Sequence, residues 1–372
     1  MHRLPPSERL PPSVLLALAP LALAAASASA ESEAAIRFFG TGTNQQDRVR
    51  IAIDDNAPGP DASSICDLGA GSFTIEFWLR GTRSANQTAS LGGDVEVAGP
   101  AWIEGNIVVD RDIWGGSDRD FGVSLAGGRV RFGTGRANGS PGADVESTIE
   151  GSVIVLDDAW HHIACVRDAT TGRKRIVVDG VLDYESSIFI SNDDLSYPNA
   201  GVPDSVTPWN PYLVLGAEKH DAGAAYPSFA GWFDELRLWS RARTLEEIAA
   251  ERFIVVPAGS PGLVGHYRFE EGAGTTVSDA SGKGAPSGLL IAGVPGNGAW
   301  ALRSLDPMNT APLTPPTLLG DLDRNGAVDG ADLAALLGSW GPCPACPADL
   351  TEDGAVDAAD LAILLGAWST GR

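Results

Sequence analysis

Two stretches near the C-terminus carry the residue types and the spacing needed to hold a metal ion. Asp321-Leu322-Asp323-Arg324-Asn325-Gly326-Ala327-Val328-Asp329-Gly330-Ala331-Asp332 recurs 28 residues later as Asp349-Leu350-Thr351-Glu352-Asp353-Gly354-Ala355-Val356-Asp357-Ala358-Ala359-Asp360. Side-chain oxygens fall at Asp321, Asp323, Asn325, Asp329 and Asp332 in the first copy, and at Asp349, Thr351, Asp353, Asp357 and Asp360 in the second. Ala327 and Ala355, at the seventh position, have backbone carbonyls to offer. Calcium takes about six to eight oxygens, and a twelve-residue loop in this ligand order, with Gly sixth for the sharp turn, can converge that many. The expectation is one Ca2+ in each loop. The second site is the weaker, because Thr351 is a neutral hydroxyl where Asp323 is a carboxylate. Asp332 and Asp360 are also a methylene shorter than the usual Glu.

Each loop leads into an apolar run, Leu333, Leu336, Leu337 and Trp340, then Leu361, Leu364, Leu365 and Trp368. The i, i+3, i+4, i+7 spacing predicts two helices, each with one apolar face. Neither is large enough to hold a core alone, so the two must pack on each other. Without metal the closely spaced carboxylates repel and the module should loosen. Residues 320–372 hold nine acidic and two basic residues. A solvated acidic tail would have no reason to repeat Gly, Leu and Trp in register. Loop then helix, twice over, with no helix before either loop, resembles a dockerin type I module. The intervening Gly341-Pro342-Cys343-Pro344-Ala345-Cys346-Pro347 is similar to the variant common in exported proteins of planctomycete-like bacteria. The resemblance implies a cohesin-like or envelope protein as partner, and attachment to a cell surface or multiprotein scaffold. Cellulosomal dockerins read their partner partly through hydroxyls at loop positions 10 and 11. Gly330-Ala331 and Ala358-Ala359 stand there instead, which argues against a cellulosome-type cohesin.

The chain must also be sent to a compartment where such a module works. Residues 1–30 combine Arg3 and Arg9, an apolar run from Val14 to Ala26 and Ala28-Ser29-Ala30, the pattern of a signal peptide cleaved before Glu31. The run is too short for the roughly 20 residues of a spanning helix, and Pro20 interrupts it. The expectation is a secreted or surface-associated protein with no transmembrane segment. Its net charge of −22 over 372 residues makes nucleic acid an unsuitable partner, since phosphate binding rests on clustered Lys and Arg. Four cysteines in an oxidising compartment suggest disulfides. The simplest pairing is Cys343 with Cys346 and Cys66 with Cys165, and free thiols are the alternative.

Between the export signal and residue 301 the sequence is almost all strand. Phe73, Ile75, Phe77 and Leu79 alternate with Thr74, Glu76 and Trp78, predicting one buried face. Further strands are expected at Ile107 to Val109, Phe121 to Leu125, Val130 to Phe132, Trp160 to Val166, Lys174 to Val178, Tyr212 to Leu215 and Phe233 to Trp239. Gly127-Gly128 and Asp179-Gly180 are turn signals. Only Thr244 to Arg252 reads as helix, capped by Thr244 with Glu247 three residues on. Two packed antiparallel sheets or a barrel follow. A stretch rich in Pro and Thr then separates this domain from the acidic module. The division is signal peptide 1–30, sandwich 31–301, linker 302–319 and calcium-loop module 320–372.

Several segments resemble a laminin-G-like jelly roll of the concanavalin A-like lectin and glucanase superfamily. They are Ser72 to Trp78, Asp158-Ala159-Trp160-His161-His162-Ile163-Ala164, Val178-Asp179-Gly180 and Phe229 to Trp239 with the helix after it. His266-Tyr267-Arg268-Phe269, within residues 262–282, is similar to a segment that opens many such domains, and is expected either to complete the sandwich or to begin a second copy. Glucanases of this fold carry two Glu flanking an Asp on one strand, and no Glu-x-Asp-x-x-Glu run is present. Asp234-Glu235 should point to opposite faces and suits a salt link to Arg237. His161 and His162 should split into one packed and one exposed ring. Asp110, Asp112, Trp114, Asp118 and Asp120 are the candidate ligand site: a loop that holds a further calcium and stacks a sugar ring, against the plain alternative of a solvated acidic loop. Glu218-Lys219-His220-Asp221 is a second polar cluster and the other candidate place for a binding site, against the plainer reading of a surface loop.

The expected function is non-catalytic recognition of a glycan or protein by the sandwich, tethered through the calcium module. The alternatives are a polysaccharide-acting glycoside hydrolase, or its accessory, on the same fold, and a purely structural surface component.

Overall fold

The computed structural model describes residues 33–42, 46–54, 64–113, 119–136, 146–198, 211–292, 299–302, 310–313, 319–322, 328–343, 346–351 and 353–368. In chain order the strands of the large domain are β1 (Ala34–Phe39), β2 (Arg48–Ala52), β3 (Phe73–Thr82), β4 (Val95–Ala98), β5 (Asn106–Asp110), β6 (Phe121–Ala126), β7 (Arg129–Thr134), β8 (Ser147–Glu150) and β9 (Asp157–Asp168). They continue as β10 (Arg173–Val178), β11 (Val181–Glu185), β12 (Tyr212–Leu215), β13 (Ala230–Trp239), β14 (Leu263–Tyr267), β15 (Thr276–Val277), β16 (Gly288–Ile291) and β17 (Ala299–Leu302). Two antiparallel sheets result. One runs β11-β10-β9-β3-β13-β1-β17, with β14 also paired to β13, and the other runs β15-β16-β2-β12-β5-β6-β7-β8-β4.

Alternation along the strands decides which side chains meet between the sheets. Phe73, Ile75, Phe77 and Leu79 of β3 pack with Ile36 and Phe38 of β1, Val123 and Leu125 of β6, and Phe132 of β7 in a single core. Residues 262–302 complete the sandwich and do not begin a second copy. β14 extends β13, β16 pairs with β2, and β17 pairs with β1.

Much of the outer face of the first sheet is covered. The helix α1 (Leu245–Glu251), closed by the Thr244/Glu247 capping box, packs Ile248 on Ala164, Val166 and Val177. Beside it, Trp78 and Phe253 bury Ala311 and Leu313, and the Ala311 amide donates to Asp234 Oδ2 at 3.0 Å. Part of the stretch read as a linker is therefore docked on the sandwich. On the second sheet, Trp102 lies over Gly122 and Gly133, which face each other across β6 and β7. A Cβ at Gly133 would stand 1.8 Å from Trp102 Cδ1, so only glycine leaves room for the indole.

In the C-terminal module, α2 (Gly330–Gly338) and α3 (Ala358–Gly366) pack through Val328, Leu336, Val356 and Leu364. β18 (Gly341–Pro342) pairs with β19 (Ala355–Val356) between them. The expected apolar faces are only half used. Leu336 and Leu364 are buried, whereas Leu337, Leu365 and Trp340 remain about half exposed, because two nine-residue helices meet along one narrow seam. Cys343 and Cys346 form the expected disulfide. The pairing of Cys66 with Cys165 is corrected, as both are buried free thiols. Cys66 sits against Val264 and Tyr267, while Cys165 faces Ile75 and Ile176 across neighbouring strands of the first sheet. No helix among the described residues is long and apolar enough to cross a membrane.

Candidate functional site

The acidic loop after β5 and the polar cluster after β12 form one site. β5 and β12 are neighbours, with Asp110 opposite Val214. The fully buried Asp110 ties both segments together. Its Oδ1 accepts from the Asp112 amide and its Oδ2 from the Lys219 amide, each at 2.6 Å. Asp120 Oδ1 accepts from the Ile113 amide at 3.0 Å, closing the first loop. The Glu218 carboxylate accepts from the amides of His220 and Asp221, closing the second. From below, Arg48 donates to the carbonyls of Glu218 and Lys219 at 2.8 and 3.2 Å, and Lys219 Nζ donates to Tyr212 O at 3.1 Å. The result places His220 Nδ1 2.9 Å from Asp112 Oδ2 and 3.4 Å from Glu218 Oε1. Asp221 is exposed at the edge.

Packing this much charge under little water moves several protonation equilibria. Burial, helped by Glu218 and Asp112, pushes Asp110 up to about 7. Burial also raises Asp120, with Asp112 adding to it, and lowers Lys219 to about 8 against the pull of Asp110 and Asp112. At His220 burial opposes the proton, but the carboxylates of Asp112 and Glu218 outweigh it and raise the imidazole to about 9. At neutral pH an internal cation therefore lies between those two carboxylates.

The donor set tests the calcium expected here. Asp112, Glu218 and His220 bring one ligand atom each within 4.8 Å of one another. Two carboxylates and an imidazole nitrogen suit a first-row transition metal better than calcium, which wants six or more oxygens. Asp110 and Asp120 are not part of that group. Trp114 and Asp118 lie outside the described residues.

The second loop of the C-terminal module is compact. Asp349 Oδ2 accepts from the Gly354 amide at 2.8 Å and Oδ1 from the Asp353 amide at 3.1 Å. Gly354 has φ +92°, the left-handed turn expected of its position. Asp360 Oδ1 accepts from the Thr351 amide at 2.9 Å, and Oδ2 from the Asp357 amide at 2.8 Å. Asp357 caps α3 through the Ala359 amide, and Ala355 sits in β19. Asp332 repeats the role of Asp360 on Leu322 and Asp329, at 2.7 and 2.9 Å. Capping boxes at Asp329/Asp332 and Asp357/Asp360 are a feature that the ligand pattern alone did not reveal. Asp321 is described, whereas Asp323, Asn325 and Ala327 lie outside the described residues.

A family model described as the concanavalin A-like lectin/glucanases superfamily (Laminin_G_3) matches residues 54–249. The chain belongs to this superfamily. Among solved structures it is similar to a carbohydrate-binding candidate from Bacteroides ovatus ATCC 8483, with 18% identity over 70% of this chain and 58% of that one, and a TM-score of 0.42. It is also similar to a heptameric SAP-like pentraxin from Limulus polyphemus, with 14% identity, 71% and 98% coverage and a TM-score of 0.39. Domains LG4-5 of the mouse laminin alpha1 chain give 13% identity, 61% and 48% coverage and a TM-score of 0.34. The chain thus spans little more than half of the Bacteroides protein. No curated protein matched.

The remaining acids of this concanavalin A-like sandwich are built into its frame. A bulge in β13 gives Glu235 φ +51° and sets both Asp234 and Glu235 on the outer face, since Phe233 and Leu236 both enter the core. This corrects the expectation of opposite faces. The expected link to Arg237 is present at 3.2 Å, with His266 at 2.9 Å and Arg268 at 3.0 Å. Burial would raise Glu235, but His266 and the two guanidiniums bring it down to about 2. Glu76 is likewise enclosed, 2.7 Å from Arg243. His162 is buried against Trp78, whereas His161, expected to be exposed, is half-buried because Asp179 and Asp157 flank its ring.

Proposed function

We propose that the protein is a non-catalytic, secreted glycan-recognition protein whose sandwich binds saccharide at the rim formed by Asp112, His220 and Asp221. The observation that carries the reading is the convergence of Asp112 with Glu218 and His220 from separate loops onto one braced edge. The exposed Asp221 carboxylate and the small accessible edges of Asp112 and His220, on a rigid frame, suit the hydroxyls of a sugar. Asp110 has the pKa of a general acid but is fully buried with both oxygens engaged, so it serves as a brace. Glycoside hydrolysis needs two carboxylates that reach the substrate, and the enclosed Glu76 and Glu235 do not.

The C-terminal module acts as a dockerin: each loop takes one Ca2+ and the two helices present a face to a cohesin-like or envelope protein. The repeated loops, their capped helices and the exposed Leu337, Leu365 and Trp340 support this part. The rim is tested by a glycan array on the full chain and on Asp112→Asn. Recognition lost in the variant supports the reading, and an array without a single bound saccharide removes it. Capture of envelope proteins on calcium-loaded chain, reversed by EGTA, tests the anchor.

A further inference from the structure

The covering of the first sheet's outer face reaches Trp78 and Asp234, and the next cross-strand row is half-buried or exposed. In that row Trp160 stands opposite Arg80, Arg80 opposite Trp232, Trp232 opposite Arg37, and Arg37 opposite Ala299. The Arg37 guanidinium carbon lies 4.5 Å from the centre of the Trp232 ring and 4.8 Å from that of Phe39, and the Arg80 carbon lies 5.0 Å from Trp232. The indole thus stands between two guanidiniums. Stacking fixes the plane of a guanidinium without using its in-plane N–H donors. Arg80 spends Nε on Asp158, whereas Arg37 is exposed and makes no hydrogen bond or ion pair among the described residues. In a chain of net charge −22, a guanidinium oriented by two rings and with no partner among the described residues points to an anion.

We infer that the row Arg80–Trp232–Arg37 is a second saccharide site, selective for a polymer carrying carboxylates on its sugar rings. Three features favour that class. A planar carboxylate pairs with the guanidinium fork through two parallel bonds. Arg80 is already paired with Asp158, so Arg37 is the guanidinium that takes the carboxylate, and Arg80 holds the indole from the other side. The indole edge and the part of the Phe39 ring that Arg37 leaves uncovered add apolar surface beside the guanidinium. The inference rests on the glycan reading for the class of polymer, but it concerns a different surface on a different sheet.

The test is calorimetric titration of the full chain with polygalacturonate, beside dextran sulfate and neutral dextran. Polygalacturonate is expected to bind, more weakly as salt rises, and Arg37→Ala should reduce affinity about tenfold or more. Arg37→Lys keeps the charge and loses the fork, so it should recover little. Arg37 is at the surface, and unchanged circular dichroism confirms that the variants fold. Full recovery by Lys, equal binding of dextran sulfate or dextran, or no binding of polygalacturonate each overturns the proposal. Polygalacturonate binding that survives Arg37→Ala and is lost in Asp112→Asn also overturns it, while leaving the rim reading in place.

Discussion

His220 Nδ1 lies 2.9 Å from Asp112 Oδ2, joining a loop that leaves β5 to one that follows β12. Among the described residues neither loop contains a regular element to hold it there. The contact depends on Asp110 bonding the amides of both, and on the proton that His220 carries between two carboxylates.

That proton sets a pH dependence. The folded pKa of His220, about 9, is above its ordinary 6.5, so its contribution to stability is whole below about 6.5 and is lost as pH rises through 9. Calorimetric melting of wild type and His220→Gln should show the wild type losing its advantage between those limits. Parallel curves across the range would show that the imidazolium does not bridge the loops.

Trp102 and Gly133 are coupled by fit. Trp102→Ala removes a fully buried indole and should cost about 3–5 kcal/mol. Gly133→Ala drives a methyl into the same ring and should also destabilise, by about 1–3 kcal/mol. In the double variant the methyl meets no indole, so the losses should fall short of additive in urea melts. Strict additivity would mean that the indole does not rest on the glycine.

The thiols of Cys66 and Cys165 are enclosed, and burial pushes both up, Cys66 to about 11. Mass spectrometry after alkylation should find neither labelled in the folded protein and both labelled in denaturant without reductant. Labelling of neither under denaturing conditions would restore the disulfide.

Calcium should raise the helix content and the melting temperature of the C-terminal module without altering the sandwich, and EGTA should reverse it. Asp321→Ala and Asp332→Ala should weaken the first site. Asp332→Ala should in addition lose about 1 kcal/mol of helix stability, because the carboxylate completes a capping box. Titration to millimolar calcium with neither heat nor spectral change would dismiss the metal.

Alternation in β3 is readable because only Phe73, Ile75, Phe77 and Leu79 are apolar on the side between the sheets, although Thr74, Glu76 and Trp78 are buried too, under the outer cover; the Thr244/Glu247 spacing marks α1 because a capping box is local chemistry. The Asp234-Glu235 pair departs from alternation because a bulge suspends it, with Glu235 at φ +51°, which no pattern of residue types announces. Leu337 and Leu365 fit the apolar period of their helices, yet they stay at the surface because periodicity says which side chains share a face and not whether a neighbour arrives to cover it.

By itself the sequence determined the elements whose causes lie within a few residues: strands, turns, caps and the repeated acidic loops, including the loop-helix order of the C-terminal module. Tertiary structure decided what meets what. It brought the Asp110–Asp120 loop and the Glu218–Asp221 loop into one site, left Cys66 and Cys165 apart, and lined up Arg80, Trp232 and Arg37 across three strands. Those relations depend on strand order and register, which are settled by the free energy of the whole packed core and not by any local run of residues.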